Sequence, residues 1–158
     1  MEHKIIDTKE VVIRFTGDSG DGMQLTGTLF ADASALYGNE ISTFPDYPAE
    51  IRAPQGTVAG VSGFQVHIGQ TEVKTPGDFC DVLVAMNPAA LKANAKWAKP
   101  GASIILDEDA FDEKGLEKAG FKTNDPIEEM NLKDYHIIWA PITTLTKESL
   151  KDSGLDNK

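Results

Sequence analysis

A chain of 158 residues with 41% hydrophobic and 25% charged residues has the size and balance of one globular domain, which excludes intrinsic disorder. Its formal net charge of −10, with arginine only at Arg14 and Arg52, argues against nucleic acid and anionic membranes as partners. One cysteine, Cys80, cannot close an internal disulfide or alone hold zinc or an iron–sulfur cluster; with a charged N-terminus and no apolar run near the ~20 residues of a membrane span, the expectation is a soluble cytoplasmic protein.

Residues 11–23, VVIRFTGDSGDGM, predict a strand, a tight loop and a helix in direct succession. Leu25, Leu29, Ala33 and Leu36 then recur at one helical face. Glycines in such a loop let the backbone take positive φ or approach a ligand closely, and the helix that follows offers unpaired N–H groups at its positive end. Phosphates and carboxylates are the usual guests there. The spacing Gly17-x-x-Gly20-x-Gly22 is neither the dinucleotide fingerprint nor a Walker loop, and Asp18 and Asp21 would repel a phosphate unless they turn away. The alternative is a plain turn in which Asp21 caps the helix and the glycines only fold the chain.

Gly38 ends that helix, residues 40–44 read as a second strand, and residues 45–54 form a proline-rich segment carrying Tyr47, Asp46 and Arg52, which is either a surface connection or a contact loop. Alternating Val58, Val61, Phe64, Val66 and Ile68 with punctuating glycines predict an antiparallel ribbon, 57–62 with 63–68, and a short further piece at Glu72-Val73. His67 reads there as an outward-facing polar residue. Residues 81–86 predict a central strand buried on both faces, ending at Asn87-Pro88, where Asn87 lies at a strand's carboxyl end and also suits an N-cap of the helix 89–96. Then come a turn at 99–102, a buried strand at 103–106 and the acid run Asp107-Glu108-Asp109, read as a solvated strand exit. A short helix at 113–119, an irregular acidic stretch at 121–131, a last strand at 135–140 and a helix beginning near Thr144 complete the pattern. The alternation predicts an α/β fold: a three-layer, Rossmann-like domain with a mostly parallel sheet plus an antiparallel ribbon or edge.

The inventory of reactive groups is thin. Ser19 is not in a nucleophile elbow, and no Cys–His pair or multi-histidine cluster stands at metal spacing, so neither a catalytic residue nor a metal ligand is assigned. A free-standing nucleotide-binding domain would need an acid at the end of a second strand, and the nearest, Asp46, stands among prolines.

Three stretches in order, Gly17-Asp18-Ser19-Gly20-Asp21-Gly22-Met23-Gln24, then residues 42–52 (STFPDYPAEIR), then residues 60–66 (GVSGFQV), resemble the N-terminal gamma-type domain of the alpha subunit of 2-oxoacid:ferredoxin oxidoreductases, of the 2-oxoglutarate type. The resemblance covers essentially the whole chain. It implies oxidative decarboxylation of a 2-oxoacid to an acyl-CoA with reduction of ferredoxin. It also implies a coenzyme A contact at Gly17, Asp18, Ser19, Gly20, Asp21, Gly22 and Met23, with Arg52 as a phosphate partner. The thiamine diphosphate, magnesium and iron–sulfur cluster that such enzymes use are expected in other parts of the complex. The implied partners are the remainder of an alpha subunit, a beta subunit carrying thiamine diphosphate, and ferredoxin through the full assembly. On this reading residues 1–158 are one domain of a longer subunit, inert alone. The competing expectation is a purely structural and interaction module whose glycine loop holds no ligand.

Overall fold

The computed structural model describes residues 7–47 and 60–151. In chain order the elements are β1 (Glu10–Asp18), α1 (Met23–Leu36), β2 (Glu40–Asp46), β3 (Val61–Gly69), β4 (Cys80–Ala85), α2 (Pro88–Asn94), β5 (Ala98–Asp107), α3 (Glu113–Lys118), α4 (Pro126–Glu129), β6 (His136–Ala140) and α5 (Ile142–Leu150). One sheet in the order β2-β3-β1-β4-β5-β6 carries them. β1, β4, β5 and β6 pair in parallel, and β3 runs antiparallel to both of its neighbours, β1 and β2. The α/β expectation holds, with the antiparallel part built into the sheet.

Strand alternation sends successive side chains of β1 to opposite faces. Val12 joins the main apolar cluster and the guanidinium of Arg14 bonds to α2, whereas Phe15 packs its ring edge-on against Phe30 of α1 at 5.4 Å. On the α2 side the sheet is sealed over β4 and β5: Leu83 and Ala85 of β4, Ile104 and Leu106 of β5 and Leu91 of α2 are 0% exposed. Arg14 is buried there as well. Its Nε donates to Asn94 Oδ1 at 2.9 Å, its Nη1 to Gln65 Oε1 at 3.2 Å and its Nη2 to the Asp46 carboxylate, so the buried cation is paired as well as hydrogen-bonded.

On the other face α1 lies against β3 through a glycine. A Cβ at Gly27 would sit 2.2 Å from the Phe64 ring, so only glycine permits this approach. Helix and strand are tied further by Gln24 Nε2, which donates to Ser62 Oγ and to the Gly63 carbonyl.

Several expectations are corrected. The face of α1 that packs is Met23, Gly27 and Ala31, whereas Leu25, Leu29 and Leu36 are 64%, 59% and 89% exposed. Small residues let the helix sit close to β3. The ribbon is one strand: residues 61–69 run continuously between β1 and β2, Glu72-Val73 is not a strand, and residues 57–59 lie outside those described. Alternating apolar residues fit a strand with two partners as well as they fit a hairpin. His67 is largely covered, not outward-facing: its side chain is 12% exposed, with Nδ1 2.7 Å from the Thr75 carbonyl oxygen and Nε2 3.3 Å from a Glu10 carboxylate oxygen. Pro45 and Asp46 belong to β2, which an edge strand allows. The turn expected at 99–102 is an irregularity within β5, where pairing jumps from Cys80↔Ala98 to Val82↔Ser103 around Gly101 at φ 75°. The stretch 121–131 contains the single turn α4.

Burial pushes the Cys80 thiol up to about 11, the Arg14 charge pulling the other way. Iodoacetamide at pH 8 is therefore expected to alkylate native Cys80 about a hundredfold more slowly than the unfolded chain. Equal rates, followed by mass spectrometry, would contradict this burial.

Candidate functional site

β1 and β4 are parallel neighbours whose following helices lie on opposite faces of the sheet, α1 against β3 and α2 over the sealed side. The crevice above the carboxyl ends of β1 and β4 is thus the switch point where ligands of open α/β sheets gather. A cavity of about 870 Å³ lies there. Its walls come from β1 (Phe15), the loop and first turns of α1 (Asp21, Met23, Thr26), the end of β4 (Val84, Met86, Asn87), the end of β5 (Asp107, Ala110) and α5 (Ile142, Thr143, Thr146, Lys147). The cavity opens along the incompletely covered face of the sheet. Phe15, Val84, Ile105 and Ile138 are successive register partners across four strands, and Ile138 at the end of that row is 37% exposed.

The glycine loop forms the α1 side. Strand β1 runs through Gly17 to Asp18, and a turn follows in which Asp21 N donates to the Asp18 carbonyl at 3.1 Å. Ser19 N donates to the Gly60 carbonyl at 2.6 Å, and Asp18 N to the Asp21 carboxylate at 2.8 Å. Asp21 thus caps its own turn, not the helix. The N-cap of α1 is Gly22 at φ 75°, and no side chain bonds to the first-turn amides. Gly20, at φ 112°, has no neighbouring atom within 4 Å of where a Cβ would stand. Of the sequence-predicted residues, Asp21 and Met23 line the cavity, Gly17, Asp18, Ser19, Gly20 and Gly22 shape the loop beside it, and Arg52 lies outside the described residues.

Three helix N-termini converge on this crevice, and they differ. α2 is capped by Asn87, whose Oδ1 accepts from Ala90 N at 2.8 Å, with Pro88 in the first position. α5 is capped from another strand. Asp107, 1% exposed, accepts from Ile142 N at 2.9 Å, Thr143 N at 3.3 Å and Thr143 Oγ1 at 2.6 Å. Asp109 accepts from Thr144 N at 2.7 Å and Thr144 Oγ1 at 2.9 Å. The reading of this acid run as a solvated exit is overturned: the two aspartates fasten the last helix, which begins at Ile142, two residues earlier than expected. Only α1 presents its first turn without a side-chain partner, and that is the arrangement that suits an anion.

Sequence reasoning missed Asp107, Thr143, Thr146 and Lys147. The available signal was the pairing of Asp107 and Asp109 with the adjacent hydroxyls Thr143 and Thr144, residues 35 and 36 positions apart and brought together only by the β5–β6 pairing.

The family profile described as pyruvate ferredoxin/flavodoxin oxidoreductase matches residues 12–157. A 2-oxoglutarate oxidoreductase subunit, KorA, of Mycobacterium tuberculosis is 51% identical over 150 residues, which are 95% of this chain and 23% of that protein. The chain therefore spans about a quarter of that relative's length. Among solved structures, a 2-oxoglutarate:ferredoxin oxidoreductase from Magnetococcus marinus, with 2-oxoglutarate, coenzyme A and succinyl-CoA bound, superposes with a TM-score of 0.67 at 27% identity over 90% of this chain and 22% of that one. A keto/oxoacid ferredoxin oxidoreductase gamma subunit from Geobacter sulfurreducens shares the fold with a TM-score of 0.64 at 21% identity, over 90% of this chain and 67% of that one.

Replacing Asp107 with alanine is expected to destabilise the chain by about 2 kcal/mol and to speed amide exchange at residues 142–144 while leaving β4 protected. Unchanged exchange at these amides would show that α5 is held by something else.

Proposed function

The chain belongs to the pyruvate ferredoxin/flavodoxin oxidoreductase family, and from that premise we propose that it serves as the gamma-type domain of a 2-oxoacid:ferredoxin oxidoreductase acting on 2-oxoglutarate. In this reading the cavity between α1 and α5 receives the phosphate-bearing part of coenzyme A, the acyl acceptor. The observation that carries the proposal is the α1 terminus: an uncapped helix start, shaped by two glycines at positive φ, at the mouth of an apolar cavity of about 870 Å³ at the sheet's switch point. The 51% identity to a 2-oxoglutarate oxidoreductase subunit supports the substrate class, and the coenzyme A in the Magnetococcus structure supports the acceptor.

The two acids that line the cavity, Asp21 and Asp107, do not defeat this reading. Asp21 directs its Oδ2 back to the Asp18 amide, and Asp107 directs both carboxylate oxygens to α5, so neither points an unbonded carboxylate at the α1 amides. On the α1 wall the phosphate binds through backbone N–H groups, which need no particular side chain. The chain contributes binding and packing. Decarboxylation and electron transfer fall to the thiamine diphosphate, magnesium and iron–sulfur cluster elsewhere in the complex, and the isolated domain does not turn over. The remainder of the alpha subunit and a beta subunit cover its open surfaces, and ferredoxin is reached through the assembly.

A second reading, an interaction module with an empty loop, draws on the outer face of α1. Leu25, Leu29, Leu36 and the following Tyr37 are all more than half exposed, more apolar surface than a solvated helix carries. Gly20→Ala in the assembled enzyme separates the two. Alanine at φ 112° strains the loop without a clash, so the first reading predicts a KM for coenzyme A raised roughly tenfold, with assembly and the KM for the 2-oxoacid unchanged. An unchanged KM for coenzyme A together with impaired assembly would reject it in favour of the second.

A further inference from the structure

The packing of α5 does not account for how firmly it is held. None of its residues is buried, yet its first turn donates hydrogen bonds to two aspartates, one of them almost completely removed from water. Burying a carboxylate is costly unless its oxygens are bonded, and here the bonds serve a helix that adds nothing to the apolar core. What they do is aim one face of α5. Ile142, Thr143, Thr146 and Lys147, at helical spacing, all line the cavity opposite the start of α1.

Lys147 is the cation of that lining. It is exposed, and among the described residues it has no carboxylate or hydrogen-bond partner, unlike Lys99, which pairs with Asp81, and Lys133, which pairs with Glu128. The other charged groups on the walls, Asp21 and Asp107, are both engaged by donors of the chain itself. A cavity with apolar sides thus carries an unpartnered ammonium group on α5 and unpartnered amides on α1. A phosphate ester with an apolar body is the class of ligand that uses both.

We infer that Lys147 is a phosphate-binding residue of this cavity, and that Asp107 is its positioning residue, acting through the start of α5. The inference rests on the coenzyme A reading above and extends it to the opposite wall. An arginine can replace the lysine as a point of charge, whereas a methionine keeps the stem and loses it.

The test compares initial rates of the assembled oxidoreductase with coenzyme A and with pantetheine, which has the thiol arm and no phosphate. Lys147→Met should raise the KM for coenzyme A roughly tenfold or more, with kcat, the KM for the 2-oxoacid and the use of pantetheine unchanged, and Lys147→Arg should restore most of the loss. Asp107→Asn should raise the KM for coenzyme A in the same sense and add little when combined with Lys147→Met, because both act through one contact. An unchanged KM in Lys147→Met, or an equal loss with pantetheine, would overturn the assignment of the lysine. Full additivity of the double variant would overturn the positioning role. If Gly20→Ala raises the KM for coenzyme A and Lys147→Met does not, the lysine alone is wrong; if neither does, the coenzyme A reading fails with it.

Discussion

The structure depends on a carboxylate at the end of β5. Asp107 is 1% exposed and bonds two backbone amides and a hydroxyl at the start of α5. A helix dipole favours a negative charge at that position, and the bonds leave neither carboxylate oxygen idle. The consequence is geometric. β5 and β6 are parallel neighbours, Asp107 pairs in register with Ala140, and the chain turns from Ala140 through Pro141 directly into the capped helix. The carboxylate therefore determines where the last helix starts and which of its faces looks back over the sheet.

That helix and α1 lie on the less covered face of a sheet whose other face is closed over β4 and β5. β4 and β5 bury Leu83, Ala85, Ile104 and Leu106 completely beneath α2, while their opposite residues meet the cavity or its approach. An opening at the carboxyl ends of parallel strands is where ligands of open α/β sheets usually sit. The three helix starts around the opening differ. Asn87 and Asp107 satisfy two of them from within the chain, and the glycine loop leaves the third without a side-chain cap.

Much of this architecture was legible in the sequence. The strand–loop–helix of residues 11–36 could be read because β-branched residues, glycines and a helical period follow one another without interruption, and the apolar run at 81–86 marks a central strand for the same reason. The role of Asn87 as an N-cap was also readable, since a cap is a local device with Pro88 directly after it. What escaped was non-local. Arg14 meets Gln65, Asp46 and Asn94 only after the sheet is assembled, and Asp107 meets Thr143 only after β6 has paired. Leu25 and Leu29 misled for a related reason: periodicity marks a helix but not which face packs, and here close approach through Gly27 decided it. The resemblance in the glycine loop concerned only residues on the α1 wall of the crevice and said nothing of the α5 wall facing it.

The most direct measurement is a structure of the assembled oxidoreductase with coenzyme A bound, at a resolution that shows phosphate oxygens. The account predicts phosphate within hydrogen-bond distance of the amides that open α1 and of Lys147 Nζ, with Asp107 still bonded to Thr143. Coenzyme A lodged elsewhere, with another stretch of polypeptide filling the space between α1 and α5, would contradict it.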